Sequence, residues 1–193
     1  MYKDDNTSLQ REKSEDFKLI PIFASSVMTI TNSGGFHQFL VFDYYEKSGN
    51  YFRRINEDDY FLNNEVENIR NNMQGFMDAC ANMVNGHMVY PKVIEVDIDF
   101  RNKNLPFFSW IIEFNGKLRE GINIYESEIE EEELEYNINS VYIFEKPLDP
   151  IDVETALHYD IIKENRIIKF YGNRGEKVGP LEILRFNYKK EGS

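Results

Sequence analysis

The sequence predicts an α+β domain, in which a mostly antiparallel, twisted sheet carries one long and one short helix. Two observations predict this class. Segments rich in Phe, Tyr and Ile alternate with tight turns, which favours antiparallel strands because parallel strands need long crossovers. One central segment instead repeats its apolar residues with a helical period. A chain of 193 residues is long enough to bury one core without a disulfide or a metal.

The first predicted strands precede the long helix. Residues 17–24 and 27–31 are expected to form two strands, and the turn residues 32–35 follow. Residues 36–45 and 51–55 then form the predicted hairpin around a Lys-Ser-Gly-Asn turn. This order places four predicted strands before any helix.

The long helix is predicted between residues 64 and 86. Apolar residues recur there at spacings of three and four: Val66, Ile69, Met73, Phe76, Cys80 and Met83. Asn64 is the predicted N-cap, Glu67 completes a capping box, and Gly86 is the predicted stop.

Strands are predicted again after this helix. They cover residues 93–100, 107–114, 118–125, 140–144, 167–171 and 181–186. The second and third of them are expected to pair across an Asn-Gly turn, and the last two across a Gly-rich loop. Asp149 and Pro150 predict the N-cap and first residue of the short helix, which is expected to end near Asn165.

The domain organisation is predicted to be simple. Residues 1–16 are polar and form a predicted flexible arm, and 17–193 form one α+β domain. A two-part plan of 17–86 and 92–193 stays open, because strands followed by a helix occur twice. The single cysteine, Cys80, excludes an internal disulfide and a multi-cysteine zinc site. The charged N-terminus and the lack of long apolar runs predict a cytoplasmic protein that does not span a membrane.

Most of the net charge lies in one stretch. Residues 121–160 hold twelve acidic residues and a single lysine, a charge of −11 out of a net charge of −12. Such a field repels nucleic acid and membranes and attracts cationic partners. The leading hypothesis is therefore a non-enzymatic interaction protein, which inhibits a basic protein partner or mimics nucleic acid, and which also self-associates. The predicted partner-binding residues are Glu126, Glu128, Glu130, Glu131, Glu132, Glu133 and Glu135. The alternative is that they form a solvated surface without a partner.

A second hypothesis concerns a divalent metal. Glu95, Asp97 and Asp99 occupy alternate positions of a predicted strand, about 7 Å apart on one face. With Glu113, they could hold Mg²⁺ or Mn²⁺ for an enzyme that acts on a phosphate-containing substrate. This strand resembles the metal-binding strand of archaeo-eukaryotic primases and polymerases over about eight residues, but that family's downstream Ser-x-His element has no match. The alternative is the water-facing side of an ordinary strand.

A third hypothesis is a small-ligand carrier, with a pocket between the long helix and the curved sheet. The sequence has no nucleophile elbow, zinc signature or dinucleotide fingerprint, so no cofactor is predicted under the first and third hypotheses. Residues 161–193 carry a surplus of positive charge, and we expect them to face the acidic stretch within one molecule or across a dimer.

Overall fold

The computed structural model describes residues 17–128 and 130–189, which form two α-helices, fourteen strands, one 3-10 turn (Lys163–Asn165) and the loops between them. The helices are α1 (Asn50–Glu57) and α2 (Asp59–Ala79). The strands are β1 (Ile20–Ile30), β2 (Gly35–Tyr45), β3 (Ala81–Val84), β4 (His87–Val89), β5 (Lys92–Asn102), β6 (Leu105–Asn115), β7 (Gly121–Glu128), β8 (Glu132–Glu133), β9 (Asn137–Phe144), β10 (Leu148–Glu154), β11 (His158–Ile162), β12 (Ile167–Gly172), β13 (Lys177–Val178) and β14 (Leu181–Tyr188). The predicted α+β class is confirmed, while the predicted arm at 1–16 lies outside the described residues.

The strands form two main sheets. The larger sheet has seven strands in the order β11-β12-β9-β1-β2-β6-β5, and the smaller has five in the order β10-β14-β7-β3-β4. The short strands β8 and β13 form a separate pair. Pairing is antiparallel throughout the described residues except between β1 and β9, which run parallel. Both sequence halves therefore contribute strands to both sheets.

One face of the seven-stranded sheet carries both large apolar clusters of the core. At the β5 end, the helices cover it and bury Tyr51, Ile69 and Trp110 in one apolar cluster. At the β9 end, the five-stranded sheet covers it and buries a second cluster that includes Phe114 and Leu184. The opposite face, which we call the outer face, carries the other side chains of each strand, most of them exposed or half-buried.

The short helix lies where the sequence predicted a strand. Residues 51–55 belong to α1, and residues 150–165, which the sequence predicts as the short helix, lie mostly in β10, β11 and the 3-10 turn Lys163–Asn165. Tyr51 and Ile55 are four residues apart and both buried, as one side of a helix requires. Pro150 is tolerated in β10 because this strand is at the sheet edge and its pairing shifts between Pro150 and Asp152.

The long helix begins earlier than predicted. Its N-cap is Asp58, whose side chain accepts a hydrogen bond from the Phe61 backbone N–H at 2.9 Å. Asn64 lies inside the helix, where its side chain donates to the Tyr60 carbonyl. The helix ends at Ala79, before the predicted stop at Gly86, so that Met83 lies in β3.

Two predicted hairpins are wrong because their strands belong to different sheets. Strand β6 lies in the seven-stranded sheet and β7 in the five-stranded sheet, and β12 and β14 are separated in the same way. At the first crossing, Gly116 passes so close to the smaller sheet that a Cβ atom on it would lie 2.6 Å from the Val84 side chain. The Asn-Gly signal thus marks a change of layer rather than a tight hairpin. The two strands predicted over 17–31 form the single strand β1.

Candidate functional site

Polar side chains interrupt the apolar inner face of the five-stranded sheet. Leu184 and Phe186 of β14 point inward, so Glu182, two residues earlier, shares their face. Glu182 pairs with Ser127 of β7, and Ser127 pairs with Asn82 of β3. These three residues form one inward row, which we call the polar row.

The seven-stranded sheet places its own row opposite. Met28 of β1 pairs with Tyr142 on one side and Gln38 on the other, and Gln38 pairs with Ile112. A cavity of about 200 Å³ lies between the rows. The last turn of α2 closes one end with Phe76 and Met77, as well as the capping residue Cys80. The cavity therefore lies where both sheets and the long helix meet.

Two tyrosines hold the polar row by hydrogen bonds, Tyr142 from the opposite sheet and Tyr125 from β7 of the same sheet. The Tyr142 hydroxyl donates to Oε1 of Glu182 at 3.1 Å, and the Tyr125 hydroxyl donates to Oδ1 of Asn82 at 2.8 Å. Tyr125, Tyr142 and Asn82 are buried, whereas Glu182 keeps some accessible surface because it faces the cavity. The polar groups of the cavity are thus held by neighbours rather than free to rotate.

The cavity favours neutral groups. Desolvation raises the pKa of Glu182, and the hydrogen bond from Tyr142 offsets this only in part. Desolvation and the nearby Glu182 carboxylate likewise raise the pKa of Tyr125 and Tyr142. No lysine, arginine or histidine of the described residues forms an ion pair with Glu182. Burial also raises the pKa of Cys80, so its thiol stays protonated and is a weak nucleophile.

These residues are not among the sites predicted from the sequence, although the sequence carries a signal of them. In β14 and β2, Glu182 and Gln38 fall in phase with the inward apolar residues, where an alternating strand should carry another apolar side chain. A polar residue in such a position needs a partner or a function. What the sequence does not reveal is that these positions from five strands face one cavity.

The structure places the predicted metal residues on the outer face of β5. Glu95, Asp97 and Asp99 are exposed, and they stand opposite Ile111, Ser109 and Phe107 of β6. One oxygen of Asp97 and one of Asp99 accept the backbone N–H of the following residue.

Glu113 lies on the same outer face, but its Oε1 forms a hydrogen bond of 3.0 Å with Nδ1 of His37 on the neighbouring strand β2. Among residues 17–128 and 130–189, no group of three or more His, Cys, Asp or Glu side chains converges as a metal site would require. Binding of Mg²⁺ or Mn²⁺ by the β5 carboxylates stays a prediction from the sequence.

The predicted partner-binding glutamates lie on an ordered surface. Glu126 and Glu128 belong to β7, and Glu132 and Glu133 form β8, which pairs with β13. Leu134 is buried beneath the segment and anchors it, while the neighbouring Ile129 lies outside the described residues. We call residues Glu130–Glu135 and the end of β7 the acidic strip.

Part of the basic C-terminal region meets the acidic stretch within one molecule. Lys177 pairs with Glu131 at 3.0 Å, and Arg185 pairs with Asp152 and Glu154. Both side chains of the Lys177–Glu131 pair are exposed, so water and salt screen the pair and it adds little to the stability. In the acidic strip, the described glutamates other than Glu131 have no ion-pair partner among the described residues.

Comparisons with known proteins leave the family open. Neither helix of the described chain combines the length and the apolar character needed to cross a membrane. No protein-family model and no curated protein matches the sequence. Among solved structures, the chain is similar to one provisionally named a protease from Parabacteroides distasonis, with 6% identity and a TM-score of 0.35. The match covers 88% of this chain and 40% of that one, and at this TM-score it carries no argument.

Proposed function

We propose that this protein binds a small, largely apolar molecule in the cavity between the two sheets, with the polar row holding the molecule's one polar group. The observation that carries this proposal is Glu182, a carboxyl group that has no cationic partner among the described residues and faces an otherwise mostly apolar cavity. Binding sites commonly combine apolar walls with a few convergent polar groups and a perturbed pKa. The proposed function is therefore ligand binding, the third of the three functions that the sequence left open.

The size and polarity of the cavity limit the ligand. A cavity of ~150 Å³ in another protein holds benzene, so about 200 Å³ suits a single ring with a short substituent. The substituent must be neutral or cationic. A ligand carboxylate would lose its hydration there without gaining a cationic partner, because no Lys, Arg or His of the described chain lines the cavity and the two tyrosine hydroxyls already donate to Glu182 and Asn82.

Three probes of equal size test this proposal: benzyl alcohol, benzylamine and benzoate. We expect saturation-transfer NMR to show binding of the alcohol or the amine and at least tenfold weaker binding of benzoate. The variant Ser127→Phe fills the cavity from the centre of the polar row and should abolish binding. Ile122→Phe adds the same bulk on the exposed side of β7 and serves as the control. The proposal is contradicted if Ser127→Phe and Ile122→Phe bind the probes equally well, or if the natural chain binds none of them.

A second candidate function is the one that the charge distribution predicts: docking of a basic protein on the acidic strip. The specific observation in its favour is that the strip is anchored by Leu134 and that its described glutamates, apart from Glu131, lack ion-pair partners among the described residues. Unpaired carboxylates on a fixed surface steer cationic partners and accelerate association.

The acidic strip is tested with a lysine-rich peptide at several salt concentrations. The triple variant Glu130→Gln, Glu132→Gln and Glu133→Gln should weaken binding at low salt and flatten its salt dependence. The matched control neutralises three exposed acidic residues of the helices: Glu57, Asp59 and Glu67. If both triple variants lose affinity equally, the peptide senses net charge alone and the acidic strip is not a specific docking surface.

A further inference from the structure

The outer face of the seven-stranded sheet carries an apolar row across its four central strands. Val27 of β1 pairs with Val141 of β9 on one side and Phe39 of β2 on the other, and Phe39 pairs with Ile111 of β6. Val27, Phe39 and Ile111 are 41%, 50% and 39% exposed. Directly opposed side chains on adjacent strands lie ~5 Å apart, so these four form a continuous patch. No described element covers it, and soluble monomers rarely leave such patches bare.

Opposite charges flank this row at its two ends. On β12, Lys169 pairs with Val141, and on β5, Glu95 pairs with Ile111. The order across the sheet is Lys169, Val141, Val27, Phe39, Ile111 and Glu95. Neither charged residue forms an ion pair with another described residue, although Asp160 of β11 stands next to Lys169. On both sides of the line between β1 and β2, the row thus has two apolar residues followed by a charged one. The charge is positive at one end and negative at the other, so the row is antisymmetric in charge.

This antisymmetry is what a two-fold contact between identical faces requires. A two-fold axis that runs along the strands between β1 and β2 turns the sheet over and exchanges its ends. Lys169 of each copy then faces Glu95 of the other, which gives two such pairs, and the apolar residues of the two rows meet between them. An isologous interface needs this kind of self-complementarity. A basic partner would meet the carboxylates but also Lys169, so a second copy fits the face better.

The area is sufficient for a stable dimer. Six strands spaced ~4.8 Å apart are about 24 Å wide, and all but β12, which has six residues, contain eight to eleven residues and are about 30 Å long. The footprint is roughly 700 Å² per copy, close to the ~800 Å² of a standard interface. We propose that two copies of this chain associate through the outer faces of their seven-stranded sheets, with Lys169 of each copy paired with Glu95 of the other.

Sedimentation velocity of the full chain across a range of concentrations tests the proposal. We expect a particle of twice the chain mass of 22.9 kDa. Phe39→Lys buries a charge at the centre of the contact and should raise the dimer Kd roughly 30-fold or more. Ile122→Lys places the same side chain on the exposed side of the five-stranded sheet and should leave the Kd unchanged. Circular dichroism checks that both variants keep the fold.

The orientation is tested by exchanging the charges. Lys169→Glu and Glu95→Lys should each weaken the dimer about fivefold, because each opposes like charges twice, and the double variant should restore the Kd to within about twofold. A chain that stays monomeric at every concentration would overturn the proposal and leave the face to another kind of partner. A dimer that survives Phe39→Lys, or a double variant without rescue, would overturn it as well, because each means a different interface. These results are independent of ligand binding in the cavity.

Discussion

At the scale of single residues, two carboxyl groups with opposite environments carry most of the expected pH dependence. Among the described residues, Glu182 accepts one side-chain hydrogen bond, from the Tyr142 hydroxyl, and it is half-buried between the sheets. Glu46 is covered by the atoms of its own turn, where burial raises its pKa but hydrogen bonds from Ser48, Gly49 and Tyr51 outweigh that effect and lower it overall. The two groups should therefore change the stability in opposite directions with pH.

We expect Glu182→Gln to become more stable than the natural chain as the pH rises. Below pH ~4.5 the carboxyl group is protonated in both the folded and the unfolded chain, so the difference is smallest. Above it, the unfolded chain releases the proton while the folded chain holds it, and the natural protein loses about 1.4 kcal/mol for each unit by which the pKa is raised. Urea unfolding at several pH values measures this, with exposed Glu128→Gln as the control. A constant difference between the two proteins would contradict it.

Glu46→Gln should have the reverse profile. The carboxylate accepts hydrogen bonds from the Ser48 and Gly49 backbone N–H groups and the Ser48 hydroxyl just before α1. Its loss should cost about 1–3 kcal/mol at neutral pH. The cost should shrink as the pH falls below ~4.5 and through the lowered pKa, because the natural carboxylate is then protonated too. Thermal unfolding at neutral and acidic pH would show this, and a cost that does not change with pH would rule it out.

At the scale of secondary structure, the sequence reveals which segments are regular better than which segments pair. The alternation in β5 and the stripe in α2 are strong enough to predict, since each depends on periodicity within one segment. Strand pairing fails at Asn115 and Gly116, because the same turn residues serve a hairpin and a passage between layers. The inward polar row escapes notice for a related reason: its residues come together only after β3, β7 and β14 have become neighbours.

The start of the long helix gives a direct test of the two possible caps. Asp58→Ala should lower the free energy of unfolding by about 1 kcal/mol, because the Phe61 N–H loses its acceptor. Asn64→Ala should be neutral or slightly stabilising, since this position is helical and alanine has the better propensity. Denaturant unfolding of both variants measures the two costs. A larger cost at Asn64 would return the helix start to the position that the sequence predicts.

At the scale of the whole molecule, one sheet connects the two apolar clusters. Ile112 belongs to the cluster under the helices and Phe114, two residues later on β6, belongs to the cluster between the sheets. The helices and the five-stranded sheet both pack on this one seven-stranded sheet. Loss of one layer would therefore expose half of the shared face.

This sharing predicts a single cooperative unfolding transition. Trp110 is the only tryptophan and reports on the cluster under the helices, whereas far-UV circular dichroism reports on all strands and helices. The two signals should change at the same denaturant concentration. Ile69→Ala and Leu184→Ala remove one side chain from each cluster, and each should lower the free energy of unfolding by about 2–5 kcal/mol. Fluorescence and circular dichroism should report the same loss for both variants. An earlier change in fluorescence than in circular dichroism would show that the helical layer unfolds alone.

The parallel pair of β1 and β9 has a consequence for how the chain is made. Strand β1 is complete at residue 30, but its neighbour on one side begins only at residue 137. A ribosome adds ~5–20 residues per second, so for several seconds each nascent chain carries an open edge that can recruit a strand from another chain. Recombinant production at lower temperature, or with a chaperone that shields this edge, should raise the yield of native protein.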